Sequence, residues 1–233
     1  MELNKLIEEG IIPERLPWPS NEKIHEYRNR QVNWWMKNLN GSEHPRERNK
    51  DYVEFIKRIK ENTGFDILTI SDDKKIGEVC GGAWGGLINI YFKKNEKYQI
   101  DLLSDFFSKI NVIKGTNTNW ILSPMEHISL QDNQMDYLFA FNSLDHGWDI
   151  EKAIHECVRV SKCGILSFNV DNHLQFKWCP NNDHYQKVRM GKVISILNKI
   201  DCVKKWWLKS FTGKLWHKTC RNNGLIIEIY YKK

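Results

Sequence analysis

The stretch Ile76-Gly-Glu-Val-Cys-Gly-Gly-Ala-Trp-Gly-Gly-Leu87 carries the densest chemical signal in the chain. A short apolar run ends around an acid, Glu78. Four glycines then fall within six residues, and an apolar segment follows. Glycine lets a backbone turn sharply and approach a ligand closely. Asp101 comes 23 residues after Glu78, at the end of the next apolar run. A carboxylate at that place can accept hydrogen bonds from both hydroxyls of a ribose. A glycine turn followed by such an acid describes a nucleoside pocket. The dinucleotide spacing Gly-x-Gly-x-x-Gly cannot be drawn from Gly77, Gly81, Gly82, Gly85 and Gly86, which disfavours a nicotinamide or flavin enzyme. Gly-x-x-x-x-Gly-Lys-Ser/Thr is absent, which disfavours a nucleotide triphosphatase.

Such a pocket needs a sheet to hold it. Apolar runs of strand length occur at 75–79, 98–101, 120–122, 137–141, 165–170, 203–212 and 225–231. Helical patterns separate several of them. Asp149 can cap a helix whose apolar face is Ile150, Ala153, Ile154, Cys157 and Val158, ending before Gly164. Val193, Ile196, Leu197 and Ile200 repeat that spacing. Strands alternating with helices predict an α/β, doubly wound, mostly parallel seven-stranded sheet. The last two runs have no helix between them, so an antiparallel C-terminal hairpin is expected. Ahead of the sheet, Tyr52, Phe55, Ile56 and Ile59 form one helical face, with Gly64 as its cap. Residues 1–65 are therefore expected as an N-terminal helical extension or lid, and 66–233 as the core.

The 233 residues are 41% hydrophobic and 27% charged, enough for a full core. No apolar stretch approaches the roughly 18–20 residues of a bilayer span, and MELNKLIEEG has no apolar signal region. Six cysteines form no Cys-x-x-Cys pair, so free thiols in a reducing cytoplasm are expected, without a metal site. The net charge of +6 is uneven: residues 171–233 hold thirteen Lys/Arg against four Asp/Glu. That excess could attract phosphate groups, including those of RNA.

The order of the segments resembles the class I S-adenosylmethionine-dependent methyltransferases, in particular a small bacterial-type family. Glu78, Gly82 and Gly85-Gly86 match the family's first motif, and Asp101-Leu102 its second. Ser123-Pro-Met-Glu-His-Ile-Ser-Leu-Gln-Asp132 is similar to the segment after strand three. Met135 to His146 is similar to strand four and its turn, and Arg159-Val-Ser-Lys-Cys-Gly164 to the approach to strand five. Cys80 stands where the family's first glycine falls, Ala83 where proline is usual, and Pro124 where an adenine-contacting Asp often sits.

The resemblance implies a Rossmann-like fold that binds S-adenosyl-L-methionine. It implies Glu78 near the methionine amino group, and the loop Gly82, Ala83, Gly85 and Gly86 beneath the cofactor. Asp101 would lie on the ribose, with Leu102, Met125 and Glu126 around the adenine, and Asn142 and Leu144 beside the methionine part. His146 is the first candidate for a general base, with Asp145 as its orienter, and His173 the second. Strand four lacks Asn/Asp-Pro-Pro-Tyr/Phe and no Pro-Cys follows it, which disfavours transfer to adenine or glutamine nitrogen or to cytosine carbon. A small-molecule or saccharide acceptor is expected. The alternatives are an RNA methyltransferase using Lys204, Lys205, Lys209, Lys214, Lys218 and Arg221, and a non-catalytic scaffold.

Overall fold

A computed structural model describes residues 22–38, 45–83, 86–110, 117–170, 188–211 and 224–233. Seven strands form one sheet in the order β3-β2-β1-β4-β5-β7-β6. They are β1 (Lys75–Val79), β2 (Glu96–Asp101), β3 (Thr118–Leu122), β4 (Met135–Phe141), β5 (Ser161–Val170), β6 (Val203–Phe211) and β7 (Gly224–Lys232). All pairs from β3 to β5 are parallel, while β7 runs antiparallel to both β5 and β6. The expected class, mostly parallel sheet and C-terminal hairpin are all present.

Six helices surround the sheet among the described residues: α1 (Glu22–Asn38), α2 (Pro45–Thr63), α3 (Gly86–Tyr91), α4 (Ser104–Ile110), α5 (Ile150–Val160) and α6 (Met190–Leu197). Alternation along the strands sorts the core into two layers. Leu138, Ala140, Leu166, Phe168, Ile227 and Ile229 face Ile154 and Cys157 of α5 and Val193 and Ile196 of α6. The intervening residues Phe139 and Ile165 face Tyr52, Phe55, Ile56 and Ile59 of α2 and Leu87 and Ile88 of α3. The predicted apolar face of α2 is thus built into the sheet's own core. Removing a ring such as Phe55, fully buried, would cost about 3–5 kcal/mol. Gly64 closes α2 with φ +72° and its N–H on the Lys60 carbonyl at 2.9 Å.

α5 ends before Gly164, as expected: the helix stops at Val160, and β5 begins at once with Ser161, so Gly164 lies inside a strand. The Cys157 carbonyl, left over by the last turn, takes the Ser161 hydroxyl at 2.8 Å and the Tyr231 hydroxyl at 3.0 Å. Gly164 makes that possible: a Cβ there would meet the Tyr231 hydroxyl at 2.4 Å and the Leu138 carbonyl at 2.5 Å. The predicted start of α5 holds, since Asp149 Oδ1 accepts from Glu151 N and Lys152 N.

Candidate active site

A cavity of about 430 Å³ opens where β1, β2, β4 and β5 end, roofed by α1 and α2. Ligands of open α/β sheets bind at such strand ends. Its first wall comes from the turn after β1. Cys80 and Gly82 line it, with φ of +55° and +72°. A Cβ on Gly82 would lie 3.0 Å from the Trp35 ring, so only glycine lets α1 pack this close. Glu78 sits behind the wall, fully buried. Its two oxygens accept from Leu87 N at 3.1 Å and Ile88 N at 3.0 Å. It therefore holds the loop's exit in shape. Gly86, at φ +57°, has no room for a Cβ, which would fall 2.2 Å from Glu78 Oε1. Ala83 is buried behind the same wall. Gly85 and Trp84 lie outside the described residues.

Asp101 and Leu102 form the second wall. The Asp101 carboxylate accepts from Leu103 N at 2.9 Å. Burial pushes its pKa up to about 7, against the pull of the Leu103 and Gly82 N–H groups. Buried Arg28 of α1 grips the loop from behind, donating to the Leu102 carbonyl at 3.2 Å and pairing with Asp105.

Pro124, Met125 and Glu126 close the third side. Glu126 Oε1 accepts from Trp148 N at 2.6 Å and Asp149 N at 3.1 Å, tying this turn to the start of α5. Its other oxygen is buried without a partner among the described residues, and so is the Ser143 hydroxyl. Burial also raises Glu126 to about 7. Burial, then Asp101 and Glu126, raise the Cys80 thiol further, so it stays protonated and is no nucleophile at neutral pH.

After β4 the expected cluster divides. Asn142 (φ +51°) and His146 line the cavity. Leu144 does not: it is fully buried in the α5 layer, and its neighbour Ser143 takes the lining place. Asp145 accepts from Asn169 Nδ2 at 3.0 Å, and Asn169 also donates to Asn142 Oδ1 at 2.8 Å. The hydrogen bond that positions Asp145 thus comes from β5. His173 lies outside the described residues, as do Lys214, Lys218 and Arg221.

The far end of the cavity lies between α2 and the sheet. Phe141, Ser167 and Asn169 meet Ile226 and Lys209 across the register, with Asp51, Glu54 and Arg58 of α2 opposite. Lys209, expected only as part of a basic surface, faces this cavity. Asn169 and Arg58 had no marker in the sequence, because each becomes part of the site only through strand register or helix packing, and Ser143 reaches it only through the turn that follows β4. Among the described residues, no group of three or more His, Cys, Asp or Glu side chains could hold a metal ion, and no helix is long and apolar enough to cross a membrane.

Comparison with known proteins places these features. Residues 81–168 match a family described as "Methyltransferase domain". Among curated proteins none matches. Of solved structures, the Burkholderia thailandensis 1,6-didemethyltoxoflavin-N1-methyltransferase, bound to S-adenosylhomocysteine, is 9% identical with a TM-score of 0.59, covering 95% of this chain and 94% of its own. The Haemonchus contortus phosphoethanolamine N-methyltransferase 2, in complex with S-adenosylhomocysteine, is 10% identical, TM-score 0.55, over 78% of this chain and 52% of its own. The [4+2]-cyclase SpnF is 12% identical, TM-score 0.57, over 77% and 80%. Likenesses this distant show the fold. The cavity suits the cofactor that the domain implies: a carboxylate at the end of β2 for hydroxyls, a partnerless carboxylate oxygen and hydroxyl for further polar groups, and acidic walls for a sulfonium cation. Fold, cavity and family match together make residues 81–168 an S-adenosylmethionine-dependent methyltransferase domain.

Proposed function

We propose that this methyltransferase acts on the oxygen of a small polar acceptor, such as a saccharide. The observation that carries this reading is the continuity of the cavity, which runs from Cys80, Gly82 and Asp101 to the wall of α2. S-adenosylmethionine, when bound, supplies a methyl carbon made electrophilic by its sulfonium. Asp101 would accept from the ribose hydroxyls. Leu102, Met125 and Glu126 would hold the adenine, with the free oxygen of Glu126 serving where Pro124 offers no carboxylate. Asn142 and Ser143 would border the methionine part.

His146 lines the same cavity. It would take the proton of an acceptor hydroxyl, a contribution of typically ~100- to 10,000-fold. The remaining residues orient the acceptor and exclude water, which for aligned reactants is worth up to ~7–11 kcal/mol. Residues 1–65 supply the roof through α1 and α2, a lid function for that segment. The free thiols Cys80, Cys157, Cys163 and Cys202 suit a reducing, cytoplasmic setting. Titration calorimetry with S-adenosylhomocysteine, followed by a screen of acceptors with methyl-labelled cofactor, tests the reading. Binding at micromolar concentration with transfer to a hydroxyl compound supports it. Transfer to nitrogen or to RNA alone overturns it.

A further inference from the structure

Arg58 is held in an uncommon way. Glu228, in the middle of β7, is fully buried. A buried carboxylate must be paired, and it takes Arg58 Nη2 at 2.6 Å, Arg58 Nε at 3.3 Å and Trp207 Nε1 at 2.6 Å. The guanidinium is thereby fixed by one edge, and among the described residues its Nη1 group is left with a 3.9 Å contact to Glu54 Oε2. The same oxygen lies 4.0 Å from Lys209 Nζ. Two cationic nitrogens from opposite walls thus flank one point, and they are no more than about 8 Å apart. Neither contact is a hydrogen bond. Glu54 itself is 70% exposed, so it can swing into solvent at little cost.

The geometry points to an oxyanion site at this end of the cavity: the acceptor carries a carboxylate or phosphate that docks between Arg58 and Lys209 and displaces Glu54. This rests on the methyltransferase reading and names the class of its acceptor. Three features support it. A pre-fixed Arg fork matches the planar, two-oxygen shape of such groups. The charge count also permits the exchange. Glu228 matches Arg58 and Glu54 matches Lys209, so an incoming anion replaces Glu54 charge for charge. Asp51, one turn earlier and exposed, is the remaining acid on this wall and has no ion pair among the described residues. Finally, Ile226 and Phe141 border the same space and can hold an apolar or ring-shaped body beside the anion.

The test is binding of benzoate, phenyl phosphate and neutral benzyl alcohol, with S-adenosylhomocysteine present, to the wild type, Lys209→Gln and Glu54→Gln. At least one anion should bind about tenfold or more tightly than the alcohol. Lys209→Gln should weaken that anion about fivefold and Glu54→Gln should tighten it by a similar factor. The preferred anion tells carboxylate from phosphate. Equal binding of all three probes, no anion binding at millimolar concentration, or indifference to both substitutions overturns the inference. S-adenosylhomocysteine affinity is measured in the same proteins. Its loss from the wild type while anions still bind would sink the methyltransferase reading alone.

Discussion

Cofactor affinity should rise with pH, and Asp101 sets the size of the effect. Burial holds this carboxyl at a pKa of about 7 in the ligand-free protein. Accepting from two ribose hydroxyls requires the ionised form, so binding must release the proton that Asp101 retains. If the complex is fully ionised at this position, affinity scales with the fraction already ionised when free. That fraction is about one in eleven at pH 6 and about ten in eleven at pH 8, so S-adenosylhomocysteine should bind about tenfold more tightly at pH 8, or ~1.4 kcal/mol. Calorimetry in two buffers of different ionisation enthalpy reads the proton directly. The ligand's own titrations cancel when the wild type is compared with Asp101→Asn. The difference in slope should approach one decade between pH 6 and pH 8, and the variant should bind weakly throughout. Identical slopes in the two proteins would refute the assigned ribose contact. Without ligand the same group acts oppositely on stability. Because folding raises its pKa, the folded state keeps a proton that the unfolded chain gives up, and stability falls as pH rises from about 4 to about 7.

Three substitutions probe other parts of the argument. His146→Gln should lower the turnover number about 100- to 10,000-fold with cofactor affinity unchanged, measured by labelled-methyl transfer; unaltered turnover removes it as base. Gly86→Ala should abolish tight cofactor binding and lower the melting temperature, because its Cβ would collide with the Glu78 carboxylate at a backbone φ of +57°. Calorimetry and thermal unfolding check both effects. Tyr231→Phe should destabilise by about 1 kcal/mol, since Ser161 still serves the Cys157 carbonyl, a fall of roughly 2–4 °C in melting temperature.

What could be read before folding was whatever is periodic or local. The strands, the capped start of α5 and the apolar face of α2 all follow from spacing alone, and each lies where that spacing put it. Asp101 stands out in the sequence because an acid at a strand end after a glycine turn has a defined chemical use, and the structure puts it on the cavity wall. The apolar run at 165–170 understates β5, which starts at Ser161, because Gly164 offers no apolar side chain to the pattern; its use is to clear a path for a hydroxyl 67 positions later in the chain. Leu144 was assigned by its place in a motif, yet the turn at Leu144–His146 rotates its side chain into the core and Ser143 toward the cavity. Arg58 and Glu228 are separated by 170 positions, and no local pattern announces a pair that only register and packing create.

The position of β7 has a consequence for how the chain acquires its shape. It is the last strand in sequence but the second from the edge in the sheet, inserted between β5 and β6. Until it arrives, β6 has no neighbour, the Cys157 carbonyl lacks its tyrosine and Arg58 has no buried anion to meet. During synthesis, the strands made before it must therefore wait in a partly assembled state. Joining β7 to β5 closes the connection from Val170 to Gly224, a non-local pairing that is entropically slow, and such species are prone to aggregate. The arrival of one nine-residue strand then adds Ile226 to the far wall of the cavity and gives Arg58 its buried anion, so that wall is the last to be completed.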